Sequence, residues 1–64
     1  MTVKEVLNDL KMHNDFTTNV AIVDSMRHYS GSIGYFLYNG AFEYLMEMEI
    51  SHTRNNIIFL KEED

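Results

Sequence analysis

The 64-residue chain sets ten acidic residues against five basic ones and contains no cysteine. That excludes disulfides and thiolate metal sites, and the net charge of −5 denies it the positive footprint of a general nucleic-acid binder. A hydrophobic fraction of 45% fits a globular domain and not a disordered one, while the longest strictly apolar runs, Val20–Val23 and Ile57–Leu60, are far too short to span a membrane.

One domain, 1–64, is the most that such a chain can build, and it buries only about 60% of its unfolded surface. With no disulfide to add stability, self-association is the natural supplement. The first residues are polar and periodic, with no basic and then apolar leader, so the expected location is cytoplasmic.

In chain order, Thr2 followed by Glu5 three residues later is a capping box. Val3, Val6, Leu7 and Leu10 then recur at helical spacing, with Lys4, Glu5, Asn8, Asp9 and Lys11 opposite them. This predicts a helix over 2–12, stopped near His13-Asn14 because Asn tolerates a left-handed C-cap. Residues 18–24, TNVAIVD, read as the first strand, β-branched at Val20, Ile22 and Val23 and stopped by Asp24-Ser25.

In the middle segment, Ser32 is placed to cap a short helical turn through Ile33, Phe36 and Leu37. Asn39-Gly40 would close that turn, and Ala41-Phe42 would lead into a second strand. That strand, EYLMEMEISHT over 43–53, alternates: Tyr44, Met46, Met48, Ile50 and His52 on one face, Glu43, Leu45, Glu47, Glu49 and Ser51 on the other.

Arg54-Asn55-Asn56 is turn chemistry, and IIFLK, 57–61, returns as the third strand. A two-residue Asn-Asn loop sets Glu49 opposite Glu62. A three-residue loop over 54–56 sets Glu49 opposite Lys61 and Ile50 opposite Leu60, and opposite charges favour it by a few tenths of a kcal/mol. Ile57 to Leu60 are contiguous and apolar, as in a strand covered on both faces.

The expected fold is therefore α+β: an N-terminal helix packed on a three-stranded, mainly antiparallel sheet of order 2-3-1, or with strand 2 central as the alternative, and with a short helical turn between strands 1 and 2. Leu7 and Leu10 should meet Ile22, Met48 and Ile50.

Chemistry-bearing patterns are thin. His13, His28 and His52 lack the spacing of a metal site. Asp24 and His28 stand four apart across a loop, where that spacing fixes no geometry. Ser30 and Ser32 near His28 have no third member and no oxyanion site. GSIG, 31–34, matches the bare GxxG of an RNA-clamping loop but lacks its helix pair. No Gly-Lys-Ser/Thr follows to make a phosphate loop. Glu43, Glu47 and Glu49, with Glu62, Glu63 and Asp64 near them, read as a solvated acidic strand face, or as a row that attracts a basic partner.

The better signal is aromatic. Tyr29, Tyr35 and Tyr38 crowd one short segment and cannot all be core in so small a domain. Tyrosine joins apolar area to a hydroxyl that tolerates water, which suits a protein interface. Ile57 and Phe59 join them as the members of the apolar run left outside the helix-covered face.

TVKEVLNDL, the strand ending at Asp24, and GSIGYFLYNGAFEYLMEMEI with its following hairpin together resemble small uncharacterised proteins of phages and mobile elements in Gram-positive bacteria. The resemblance spans nearly the whole chain and implies an accessory role inside a bacterial host, with no site residue transferred. The expected function is non-enzymatic binding of another protein, without cofactor, nucleic acid or membrane, in a chain that forms a homodimer. The alternative is a nucleic-acid-binding module using the Gly31–Gly34 turn.

Overall fold

The computed structural model describes residues 1–62 of the chain. Helix α1, Val3–His13, starts at the capping box: Glu5 N–H donates to Thr2 Oγ1 at 3.4 Å and Thr2 N–H to Glu5 Oε1 at 3.1 Å. It does not end on a left-handed residue. Asn14 is extended, at φ -138, and caps the last turn with its side chain, donating from Nδ2 to the Leu10 carbonyl at 3.0 Å.

Four strands follow in one sheet: β1 Asn19–Val23, β2 His28–Ser32, β3 Ile50–Arg54 and β4 Ile57–Leu60, in the order β2-β1-β4-β3. The outer pairs are antiparallel and the central β1–β4 pair is parallel. Between β2 and β3 run α2 Ile33–Leu37, a 3-10 turn Gly40–Phe42 and α3 Glu43–Met46. The helix, the α+β class and the internal position of the Ile57–Leu60 strand all match the sequence reading. The three-stranded sheet does not.

Two corrections explain the difference. First, HYSGS is a strand that carries no apolar alternation; it is held by its hairpin to β1 across a turn organised by Asp24. Asp24 Oδ1 accepts from the backbone N–H of Met26 and of Arg27, each at 2.7 Å. Second, 43–53 is not one strand. Glu, Leu and Met are strong helix formers, and Leu45 and Met46 are adjacent yet both buried, which one face of a strand cannot provide. Glu43–Met46 therefore coils as α3, and only Ile50–Arg54 remains extended. Asn39 caps the 3-10 turn, its Oδ1 accepting from Ala41 N–H, and does not close α2.

The hairpin resolves its register in a way that neither simple loop allows. Arg54 pairs with Ile57 across a two-residue Asn55-Asn56 loop, with Asn55 at φ 55. A bulge at Ser51 then absorbs one residue, so Ile50 still pairs with Leu60 and Lys61 N–H reaches the Glu49 carbonyl. The tight turn and the Ile50–Leu60 pairing coexist, while the Glu49 carboxylate pairs with the Met1 amino group.

All three helices lie on one side of the sheet. Val3, Val6, Leu7, Ile33, Phe36, Leu45 and Met46 pack onto Val20, Ile22, Ile58 and Leu60, with Leu10, Met48 and Ile50 at the margin of this core.

Candidate protein-binding surfaces

The side of the sheet away from the helices is bare among the described residues. Register builds it from two rows across all four strands. His28, Val23, Phe59 and His52 form one; Ser30, Ala21, Ile57 and Arg54 form the other. Each strand alternates faces, so the residues that flank Ile22 and Ile58 in sequence turn outward. Phe59 is half-buried because the His52 imidazole stacks on its ring, with centroids 4.4 Å apart and planes 11° from parallel. Ile57 is 36% exposed.

No strand residue on this face is acidic, although the chain as a whole carries a net charge of −5. At the end of the face nearest the β1–β2 turn stand Asp24 and Glu62, and both carboxylates are occupied. Asp24 serves its own turn, and Glu62 Oε1 accepts from Ser25 N–H at 2.7 Å. The face thus offers an apolar centre edged by Arg54, His28 and His52, with the Asp24 and Glu62 carboxylates at its β1–β2 turn end.

The tyrosines lie elsewhere. Tyr29 points to the helix side, opposite Ile22. Its hydroxyl meets that of Tyr44 at 3.0 Å and its ring stands edge-on to Phe42 at 6.1 Å. Tyr35, 50% exposed, packs on Phe42 at 5.1 Å and Phe36 at 5.6 Å, with its ring over Gly31. A Cβ at Gly31 would lie 2.5 Å from Tyr35 Cδ2, which is why β2 carries a glycine there. The Tyr29 hydrogen bond, with partial desolvation, raises the Tyr44 pKa above its usual 10.0.

Tyr38 stands apart, near Phe16 and Gly34, with Lys11 Nζ donating to its hydroxyl at 2.9 Å. The five residues named from the sequence therefore divide. Ile57 and Phe59 share the bare face, Tyr29 and Tyr35 an aromatic cluster beside β2, and Tyr38 the α1–α2 seam. Sequence reasoning missed Tyr44, which it assigned to a strand, and His52, whose ring extends the aromatic surface of Phe59.

The remaining candidates are not brought together. His13 Nδ1 lies 3.0 Å from the Asp9 carbonyl of its own helix. Ser30 Oγ meets His28 Nε2 at 3.4 Å with no third partner, while Ser32 is committed to capping α2 through Tyr35 N–H. Among the described residues, no three His, Asp or Glu side chains cluster as metal ligands, and no buried side chain is polar. Gly31 lies in β2 and Gly34 in the first turn of α2, so GSIG is a strand-to-helix junction and not a turn between two helices.

The acidic row also disperses: Glu43 is in α3, Glu47 follows it, and Glu49 pairs with the Met1 amino group at 3.1 Å. Glu63 and Asp64 lie outside the described residues. No helix is long and apolar enough to cross a membrane among those residues. Compared with protein families, curated proteins and solved structures, the chain matches none.

Proposed function

We propose that this chain is a non-enzymatic protein-binding module whose docking surface is the bare face of the sheet. The observation that carries the reading is the pair of rows built on Val23, Phe59, Ala21 and Ile57, apolar at the centre and free of strand carboxylates in an acidic chain. Apolar centres with polar rims are the anatomy of protein interfaces, and Arg is enriched there. The occupant that fits is a protein surface with an apolar patch and a carboxylate at its edge for Arg54 to pair with.

The non-enzymatic part is supported by the scatter of the ionisable groups. Those with a shifted pKa, Glu5 and Tyr44, owe it to a helix cap and to a tyrosine pair. The accessory setting inside a bacterial host rests on the resemblance alone.

The test is capture from a host lysate with a tagged chain, compared across three variants. A protein retained by the parent and by Tyr38→Ser, but lost with Phe59→Asp and weakened with Arg54→Glu, carries the reading. Capture that is indifferent to Phe59 and Arg54 refutes it. Salt-steep binding of single-stranded RNA or DNA in its place would move the function to nucleic acid.

A further inference from the structure

The two edges of the sheet are treated differently. At β3 the first residues of the chain lie alongside. Ile50 N–H donates to the Met1 carbonyl at 2.9 Å, Val3 N–H to the Met48 carbonyl at 3.0 Å, and Thr2 bridges Glu49. The bulge at Ser51 then bends what remains of that edge. Covering and bulging are the ways native sheets blunt an edge against pairing.

Strand β2 has neither, nor a proline or lysine, and no backbone segment pairs with its outer side among the described residues. Asp24 N–H donates to the Arg27 carbonyl at 3.0 Å, which fixes the alternation of the β1–β2 ladder. The pairs Ile22/Tyr29 and Val20/Gly31 exchange hydrogen bonds, and His28, Ser30 and Ser32 turn their backbone groups outward. Ala21 N–H, of the opposite parity, accordingly reaches across to Asn56 on the other side.

We propose that this edge is a self-pairing seam: two copies join β2 to β2 antiparallel about a two-fold axis at Ser30, giving one continuous eight-stranded sheet. The sequence HYSGS is self-complementary in that register. Ser30 meets the partner's Ser30 on the axis, His28 meets the partner's Ser32, and each Tyr29 faces the partner's Gly31. Off the axis each bulky residue opposes a small one, which makes the edge complementary to itself as an isologous contact requires. On the helix side the ring of Tyr35, which lies over Gly31, comes beside the partner's Tyr29, so the two aromatic clusters merge over the seam.

Face-to-face stacking of the bare faces is the competing dimer; it would bury their apolar centre but leave the outward backbone groups of β2 unpaired. Edge pairing leaves both bare faces open on the same side and doubles the surface available to a partner, so the seam stands whether or not that surface binds as proposed.

The experiment is light scattering behind a sizing column, at concentrations from micromolar to several hundred micromolar. The parent should reach twice the 7.5 kDa of one chain. Ser30→Lys, which sets two ammonium groups across the axis, and Ser30→Pro, which removes an N–H that β1 does not use, should both stay at one chain with the parent's circular dichroism. Phe59→Ser should still dimerise. Because the chain has no cysteine, Ser30→Cys should oxidise to a linked dimer on a non-reducing gel, and Arg54→Cys should not. A parent that stays at one chain throughout overturns the proposal. So does a dimer that survives both Ser30 variants, or one that is lost with Phe59→Ser.

Discussion

Gly31→Ala is the most informative single change, because its sign depends on one neighbour. The added methyl would sit 2.5 Å from Tyr35 Cδ2. Tyr35 is half-exposed and is free to swing outward, which gives up its edge-on contacts to Phe36 and Phe42. Each such contact contributes about 0.5–1.5 kcal/mol. Against that, Ala in a strand interior is favoured over Gly by about 0.5–1 kcal/mol of backbone entropy. The balance in the parent is a loss of about 1 kcal/mol.

In a Tyr35→Ala background the obstacle is gone, and the same substitution should stabilise by about 0.5–1 kcal/mol. Urea denaturation of the four proteins, each carrying Ser30→Lys so that none assembles, gives the coupling directly. Equal effects of Gly31→Ala in both backgrounds would refute the argument that Tyr35 dictates glycine at this position.

Leu7→Ala, at a fully buried position, should cost about 2–5 kcal/mol and leave little folded protein, whereas Leu10→Ala at the margin should cost about 1 kcal/mol. Thermal melts rank the two, and the reverse order would mean α1 is rotated from the position described. The Glu5 carboxylate is held below its usual 4.5 first by the Thr2 backbone N–H and then by the Thr2 hydroxyl. Its contribution is complete above that value and lost as pH falls through the lower folded one. The melting temperature should therefore drop more steeply on acidification below pH 4.5 in the parent than in Glu5→Gln. Tyr44, whose pKa is raised by the Tyr29 hydroxyl, favours the fold while protonated, so that contribution is present below pH 10.0 and lost above it. Tyr29→Phe should bring the Tyr44 titration back down, read from tyrosinate absorbance.

Elements that depend on nearest-neighbour chemistry were legible in the sequence. The Thr2–Glu5 box, the stripe of α1, the β-branched run of β1 and the internal position of Ile57–Leu60 all follow from spacing alone. Two elements were not. HYSGS has no hydrophobic period, because its inward positions are Tyr29 and a glycine chosen to admit another side chain. In EYLM, alternation imitated a strand while helix propensity and the adjacent pair Leu45-Met46 decided otherwise.

The candidate surface was legible only in part. Ile57 and Phe59 were marked by the length of their apolar run, but their neighbours His52 and Arg54 became visible only through cross-strand register, which no local pattern encodes.

The parallel contact between β1 and β4 has a consequence for how the molecule folds. β1–β2 and β3–β4 are each local hairpins, formed by segments close in sequence, on opposite halves of the chain. The seam that joins them, Ala21 to Ile57 and Val23 to Phe59, closes the whole intervening segment into one loop. Loop closure must precede the contacts that reward it, so the two hairpins form early and the seam sets the folding rate. Until it closes, Ile22 and Ile58 each stand at an unpaired strand edge. The slow step and the step most exposed to misassociation are then the same event.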